Sequence, residues 1–385
     1  MHYDDIVTLG HYKVIAQIET DGRQQSVVET TQSPISCFHC QSTSIARWGA
    51  REQLIKDFAP DGQLVSILVM VKRFRCSSCG KTFSQTLPLI SEKRAMTERL
   101  VHWIEQQALC NPFTAIAERV GVTEGTIRNI FRDYVRCQES SRVVLPQSYL
   151  ALGELFIEKK NRCVIFSAVN GRIIDVVDNS EIAITDALSA IGGNSIRAIT
   201  ISMSEQQRKA VQATLPSKPL AINVTALLTL ADQALERLRV HVRSTLTDKQ
   251  KRMLAGDRLL LQKRRFELGD QDYELLDTLK DDYPSLFAGY QAKEGIYERL
   301  SSIDATQVMA GGPNAFQRLV APNIRPFFDV VIEAIDSWWP QVLTYLSLPE
   351  IKTFDLTPSL PKSADLGRKQ SFEVVRAKLI FGPCS

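Results

Sequence analysis

Two pairs of cysteines carry the clearest chemistry in the sequence. The stretch "CFHC" supplies Cys37 and Cys40, and "CSSCG" supplies Cys76 and Cys79. Each CxxC turn lets two thiolates face one ion, and four thiolates close a tetrahedral Zn²⁺ shell with no open position, so the expected role is structural. His39 sits inside the first pair and is expected to be a turn residue, because four sulfurs already fill the shell. Cys110, Cys137, Cys163 and Cys384 lack such spacing and are expected to be small core residues or free thiols.

A second set of side chains could read nucleic acid. "NPFTAIAERVGVTEGTIRNIFRDYV" places Pro112 at a first helical turn, turns Ile116 and Val120 inward, and uses small Ala117 for close helix approach. Gly121 supplies the tight turn, and Thr123 caps a following helix held by Ile127 and Phe131. This is a helix-turn-helix pattern. Thr123, Glu124, Arg128, Asn129 and Arg132 then face outward and can reach base edges or phosphates. Lys72, Arg73 and Arg75, joined by Lys81, add basic residues beside the second cysteine pair.

The third candidate is Glu154 in "LALGELFIEKKN", the only early acid of a strand-like run. It is either a metal-binding carboxylate or an outward strand residue, and alternation along the strand separates the two.

These groups need elements to position them. "GQLVSILVMVKRFRC" reads as a strand delivering Cys76. "SEKRAMTERLVHWIEQQAL" reads as a helix with Leu100, Trp103, Ile104 and Ala108 inward and Ser91 as its cap. From about residue 146, "YLALGELFIE", "RCVIFSAV" and "GRIIDVVD" suggest three antiparallel strands with turns at Lys159 to Asn161 and at Asn170-Gly171. The helix "IAITDALSAI" and the runs "IRAITIS" and "LAIN" extend them into a mixed α/β sheet. A charged helical block follows, in which "DKQKRMLAGDRLLLQKRR" is either a nucleic-acid contact or a solvated face. "GGPNAFQRLVAPNIRP" reads as a linker, and "FFDVVIEAIDSWWPQVLTYL" as one amphipathic helix.

Bulk properties set the frame. A chain of 385 residues is expected to hold two to four domains, and its 44% hydrophobic and 23% charged content excludes a disordered or fibrous protein. A net charge of +3 is too small for a global field, so any DNA contact must come from local patches. No stretch is apolar enough to span a membrane, and "MHYDDIVTLGHYKV" is acidic where a secretory signal is basic. The expected location is cytoplasmic and nucleoid-associated, with double-stranded DNA as partner and no membrane contact.

Taken together, "CFHC", "VKRFRCSSCGKTFSQTLP", the helix-turn-helix, the "LG" of the strand near 152 and the terminal "SFEVVRAKLIFG" resemble the ISL-three family of insertion-sequence transposases. The resemblance runs in order through nearly the whole chain. It implies an α+β multidomain protein: N-terminal strands and zinc ribbon over 1–90, helix-turn-helix over 91–140, and an RNase H-like core over 146–230 and 305–385 interrupted by a helical insertion over 231–304. It also implies three carboxylates holding two divalent metals, which activate the attacking oxygen and stabilise the leaving one. The family strand reads Leu-Gly-x-Asp-Glu, which places its aspartate at Leu155 and leaves Glu154 on the opposite face. Its Ile-Asp-Met falls on Ile201-Ser202-Met203, its Asp-x-Phe-His on Asn223 to Ala226, and its glutamate on Phe354 beside Asp355. Pro358 and Pro361 interrupt the helix expected there.

The core is therefore expected to be degenerate, with no catalytic residue and no Mg²⁺, and the chain to be a sequence-specific DNA-binding protein with structural Zn²⁺. A homodimer is expected, with a recombination or replication protein as a further partner. The alternatives are an active transposase using Asp175, Asp178 or Asp355 in a shifted site, and an interaction scaffold whose DNA binding is incidental.

Overall fold

Alternating apolar and polar residues build the first sheet of the computed structural model, which describes residues 10–20, 23–58, 64–143, 145–254, 256–302, 306–354, 356–360 and 371–382. The chain divides into two units, Met1–Arg142 and Val143–Ser385. In the first, β1 (Tyr12–Thr20), β2 (Arg23–Thr30), β3 (Ile45–Phe58) and β4 (Leu64–Cys76) lie in the order β1-β2-β4-β3, and β5 (Thr82–Ser84) pairs with β4. Only β2 and β4 run parallel. On β4 every second residue from Val65 to Val71 is buried, and Val28, Ile55 and Tyr12 close the core around it. "GQLVSILVMVKRFRC" thus delivers Cys76 from a strand, as its β-branched residues predict.

Among the described residues, three helices follow in this unit: α1 (Glu98–Cys110), α2 (Phe113–Val120) and α3 (Glu124–Ser140). Ser91 does not cap α1. The Ser91 backbone N–H is engaged with Met96 in a tight turn closed by the Ile90–Thr97 bridge, and Thr97 caps instead, its hydroxyl accepting from Leu100 N–H. Of the expected inward residues, Leu100, Ile104 and Ala108 are buried, whereas Trp103 is half-buried. The sheet grips the helices through Asp57, which is fully buried and accepts from Arg99 Nη2 at 2.7 Å, Arg99 Nε at 2.8 Å and the Thr97 hydroxyl at 2.5 Å. The Lys56 ammonium donates to the Val120 and Gly121 carbonyls, which end α2 without helical partners.

The second unit holds a sheet of order β10-β9-β6-β7-β8, formed by β6 (Tyr149–Ile157), β7 (Lys160–Ser167), β8 (Ile173–Asp178), β9 (Ala198–Ile201) and β10 (Leu220–Ile222). The first three are antiparallel, and β9 and β10 run parallel to β6. The β6–β7 turn lies at Glu158-Lys159, with φ of 50° and 62°, so Lys160 and Asn161 already belong to β7. A two-residue loop with both residues left-handed matches the strand twist better than the longer turn expected at 159–161.

Helices α4 (Glu181–Ile191) and α5 (Glu205–Thr214) follow β8 and β9, and α6 (Val224–Ser244) leaves β10 directly. Because α6 is unbroken, a domain boundary at 230/231 falls inside a helix. The helical block continues with α7 (Asp248–Met253), α8 (Asp257–Gln262), α9 (Asp270–Asp282) and α10 (Pro284–Ser301). One hydrophobic core runs from the strands through Leu227, Leu235, Tyr290 and Ile296.

Two sequence expectations fail here. The stretch from 311 to 326 is not a linker: it follows α11 (Thr306–Gly311), contains α12 (Asn314–Gln317), and buries Phe316, Val320 and Ile324, whose apolar area outweighs the Gly and Pro signals. The long amphipathic helix is two, α13 (Arg325–Ser337) and α14 (Trp339–Ser347), parted at Trp338 because Pro340 is tolerated only in a first turn. The last helix, α15 (Phe372–Phe381), packs along β8.

Candidate metal centre and nucleic-acid interface

The four expected metal ligands converge. Cys37 and Cys79 Sγ lie 3.7 Å apart, Cys40 and Cys76 Sγ 3.6 Å, and all four sulfurs fall within 4.8 Å of one another. A tetrahedral Zn²⁺ with Zn–S of about 2.3 Å requires sulfur separations of about 3.8 Å, so the arrangement fits that ion. Each knuckle turns back through a left-handed residue, Gln41 at φ 60° and Gly80 at φ 71°, whose N–H donates to the first cysteine's carbonyl. Backbone N–H groups of Cys79 and Ser78 favour the thiolate at Cys76, while the neighbouring sulfurs push the Cys40 thiol up, so without a metal the cluster shares its protons unevenly. Phe74 and Phe83 stack beneath the cluster. His39 is exposed and stands outside the sulfur group, its backbone N–H donating to Cys37 Sγ. Of the other cysteines, Cys163 is buried, Cys110 and Cys137 are exposed, and Cys384 lies outside the described residues.

The helix-turn-helix is assembled by the residues that announce it. Pro112 caps α2, Gly121 takes φ 64°, and the Thr123 hydroxyl accepts from Thr126 N–H. Ile116, Ala117, Val120, Ile127 and Phe131 are buried between the helices. Arg128, Asn129 and Arg132 are exposed along the opposite side of α3, and Glu124 pairs with Arg128 at 2.5 Å. That pair holds the Arg128 fork in place on the free helix. On the ribbon, Arg73 and Arg75 are exposed, whereas Lys72 is half-buried and bonded to Glu29 at 3.0 Å.

In the second unit the last row paired across the parallel strands is Leu152–Ile201–Ile222. One residue further stand Gly153, Ser202 and Asn223, at the carboxyl ends where α/β sheets place ligands. Asn223 is 8% exposed, caps α6 by accepting from Thr225 N–H, and donates to the Leu356 carbonyl at 2.8 Å. Ser202 N–H donates to Gln207 Oε1 at 2.9 Å, and the buried Gln207 amide also donates to the Gly153 carbonyl. Leu155 is half-buried and pairs across the sheet with Arg162, which bonds Asp178 and lies 3.9 Å from the Phe372 ring centroid.

Glu154 occupies the row of Cys163 and Val177, on the face away from Leu155, accepting from Asn161 at 2.7 Å and Asn179 at 3.0 Å. Asp175 pairs with Arg376 at 2.9 Å. Phe354 packs on Tyr149, with ring centroids 5.1 Å apart, and Asp355 lies outside the described residues.

Comparison with known families matches residues 85–135 to the helix-turn-helix domain of transposase family ISL3, and residues 150–351, more than half of the chain, to the DDE domain of ISL3-type transposases. The chain belongs to the ISL3 transposase family. No match was found among curated proteins. This ISL3-family chain is accordingly a DNA-binding, transposase-related protein with a cysteine cluster suited to zinc and an RNase H-like DDE domain. No helix among the described residues is long and apolar enough to cross a membrane.

Three side chains of the ISL3-family chain escaped the sequence reading. Gln207 reaches Ser202, and Arg162 stands across from Leu155, each from elsewhere in the chain, and no local spacing marks them. Trp48 stands exposed beside Arg75, and the adjacent "RWGAR" with its bulge-prone glycine was the available signal.

Proposed function

We propose that this ISL3-family protein binds a specific duplex site and no longer performs metal-dependent strand cleavage. The ribbon (1–90) and helix-turn-helix (91–140) act as one reading module, with Arg128 and Asn129 at base edges and Arg132 on phosphate. The site is a mobile-element end, a replication origin or a promoter. The core over 146–230 and 305–385 serves a homodimer or contact with a recombination or replication protein.

The observation that carries the loss of cleavage is the make-up of the row at the strand ends. A two-metal centre needs carboxylates there, and the Ser202 hydroxyl and Asn223 amide are neutral groups already donating to the Leu152 and Leu356 carbonyls. Across from Leu155 stands Arg162, a cation where a metal site would need an acid, and its charge is met by Asp178. The acids on which a shifted metal site could draw support the same reading: Asp175 is held by Arg376, Asp178 by Arg162, and Glu154 by Asn161 and Asn179.

The test supplies candidate end DNA with Mg²⁺ or Mn²⁺ and follows binding, nicking and strand transfer together. Site-specific binding without either reaction is the expected result. Cleavage abolished by Glu154→Gln or Asp355→Asn would overturn it and return the protein to the active transposases. Genome-wide mapping of bound sites then chooses among element end, origin and promoter.

A further inference from the structure

The two chain stretches that build the ribbon end of the first sheet carry no acids of their own. Between residues 31–51 and between 71–91 there is no Asp or Glu, whereas Arg47, Arg51, Lys72, Arg73, Arg75 and Lys81 all fall there. A zinc ion held by four thiolates is formally dianionic, so the surface stays positive even with the metal counted. This local balance departs sharply from a chain of net charge +3 overall.

The strand register sorts these cations. Arg75 faces Ala46 and Thr82 across the sheet, and Arg73 faces Gly49 and Ser84, so both project on one side. Lys72 projects on the other and is neutralised by Glu29. Between Arg47 and Gly49 the β3–β4 register shifts, leaving Trp48 as the extra residue of a β-bulge. Gly49 permits that bulge at φ +126°, where a side chain would be strained. Bulges re-aim the residue they contain. Here Trp48 is 56% exposed, and the Arg75 guanidinium sits 4.8 Å from its ring centroid.

An isolated exposed aromatic is ordinary on a protein surface. This one is set on a bulge and steadied by the Arg75 guanidinium, with Arg73 on the same side of the sheet. Proteins that hold single-stranded nucleic acid use that combination: cations track the backbone while an aromatic ring stacks on a base.

We propose that the ribbon end of β3, β4 and β5, on the sheet side that carries Arg73 and Arg75 beyond the end of the Val65–Val71 core row, is a second nucleic-acid site, distinct from α3, in which Trp48 stacks on an unpaired DNA base and Arg73 and Arg75 hold the flanking phosphates. The inference rests on the reading of the first unit as a DNA-binding module, and it adds a single-strand function that duplex readout by α3 does not need.

The test uses the full-length, zinc-loaded protein with two probes measured separately by fluorescence anisotropy: a short single-stranded oligonucleotide, and a duplex carrying the selected site. Trp48→Ala should weaken binding of the single strand by about five- to a hundredfold, as expected for one lost stacking contact. Trp48→Phe should recover most of it. Arg73→Ala and Arg75→Ala should weaken it and flatten its salt dependence. Arg128→Ala should weaken the duplex and leave the single strand alone. Zinc content and circular dichroism confirm that each variant is folded.

Single-strand binding unchanged in Trp48→Ala, or lost and not recovered by Trp48→Phe, overturns the proposal. So does loss of the single strand on Arg128→Ala, because one shared site would then serve both probes. Failure to find a specific duplex would count against the proposed function while leaving the single-strand arm readable.

Discussion

Restoring a carboxylate at position 223 puts the sealed strand-end row to its most direct test. In Asn223→Asp the helix cap survives, since a carboxylate oxygen still accepts from Thr225 N–H, and the negative charge gains about 0.3–1 kcal/mol at the α6 N-terminus. The amide that donates to Leu356 at 2.8 Å is lost, removing a bond worth about 1 kcal/mol net. In its place one oxygen confronts another in a position only 8% exposed, for a further cost of about 1–3 kcal/mol. The balance is a destabilisation of about 1–3 kcal/mol at neutral pH, or a fall in Tm of roughly 3–10 °C for a unit of this size.

The pH dependence has a definite sign. Only the protonated acid can donate to Leu356, so folding raises the new aspartate above its unfolded value of about 3.9. The deficit is full above the folded pKa and shrinks as pH falls through that value toward about 3.9. Thermal melts of wild type and Asn223→Asp between neutral and mildly acidic pH, with and without Mg²⁺, measure it. A variant as stable as wild type at neutral pH refutes the reasoning about Leu356. Stabilisation of the wild type itself by Mg²⁺ refutes the inert row, because the site would then accept a cation without the added carboxylate.

Three further outcomes are expected. Purified protein carries one Zn²⁺ per chain by elemental analysis, and Cys76→Ser loses it together with part of the N-terminal fold, since metal binding supplies folding energy in small ribbons. Arg128→Ala costs about 1–3 kcal/mol of duplex affinity and relaxes one base position, whereas Arg132→Ala weakens all sequences alike and reduces the salt slope by about 0.9, both read from binding titrations over a salt series. Asp57→Ala, which unties Arg99 and Thr97 from β3, destabilises the first unit by about 2–4 kcal/mol in denaturant unfolding.

The residues that were legible in the sequence act locally. Pro112, Gly121 and Thr123 shape backbone within a turn of themselves, and each CxxC pair makes its own knuckle, so spacing alone predicts them. The failures share a different cause. Ser91 and Thr97 are both good caps, and the Ile90–Thr97 bridge decides between them. Phe316, Val320 and Ile324 belong to the core shared with distant strands, which the Gly and Pro residues around them conceal. Gln207 and Arg162 take their importance from strands that only the assembled sheet brings beside them, and the bulge at Trp48 exists only relative to β4.

The continuity of α6 has a mechanical meaning. Its first residue follows the Asn223 cap at the strand-end row, and its 21 residues then carry it about 31 Å at 1.5 Å per residue. Along that path Leu227, Leu235 and Leu238 enter the same core as the sheet. The helical block is thus no pendant that could be shed or swapped without consequence. It is joined to the strand ends by one unbroken helix whose buried leucines share the sheet's core, so its removal would strip apolar cover from the sheet and the Asn223 cap from its helix.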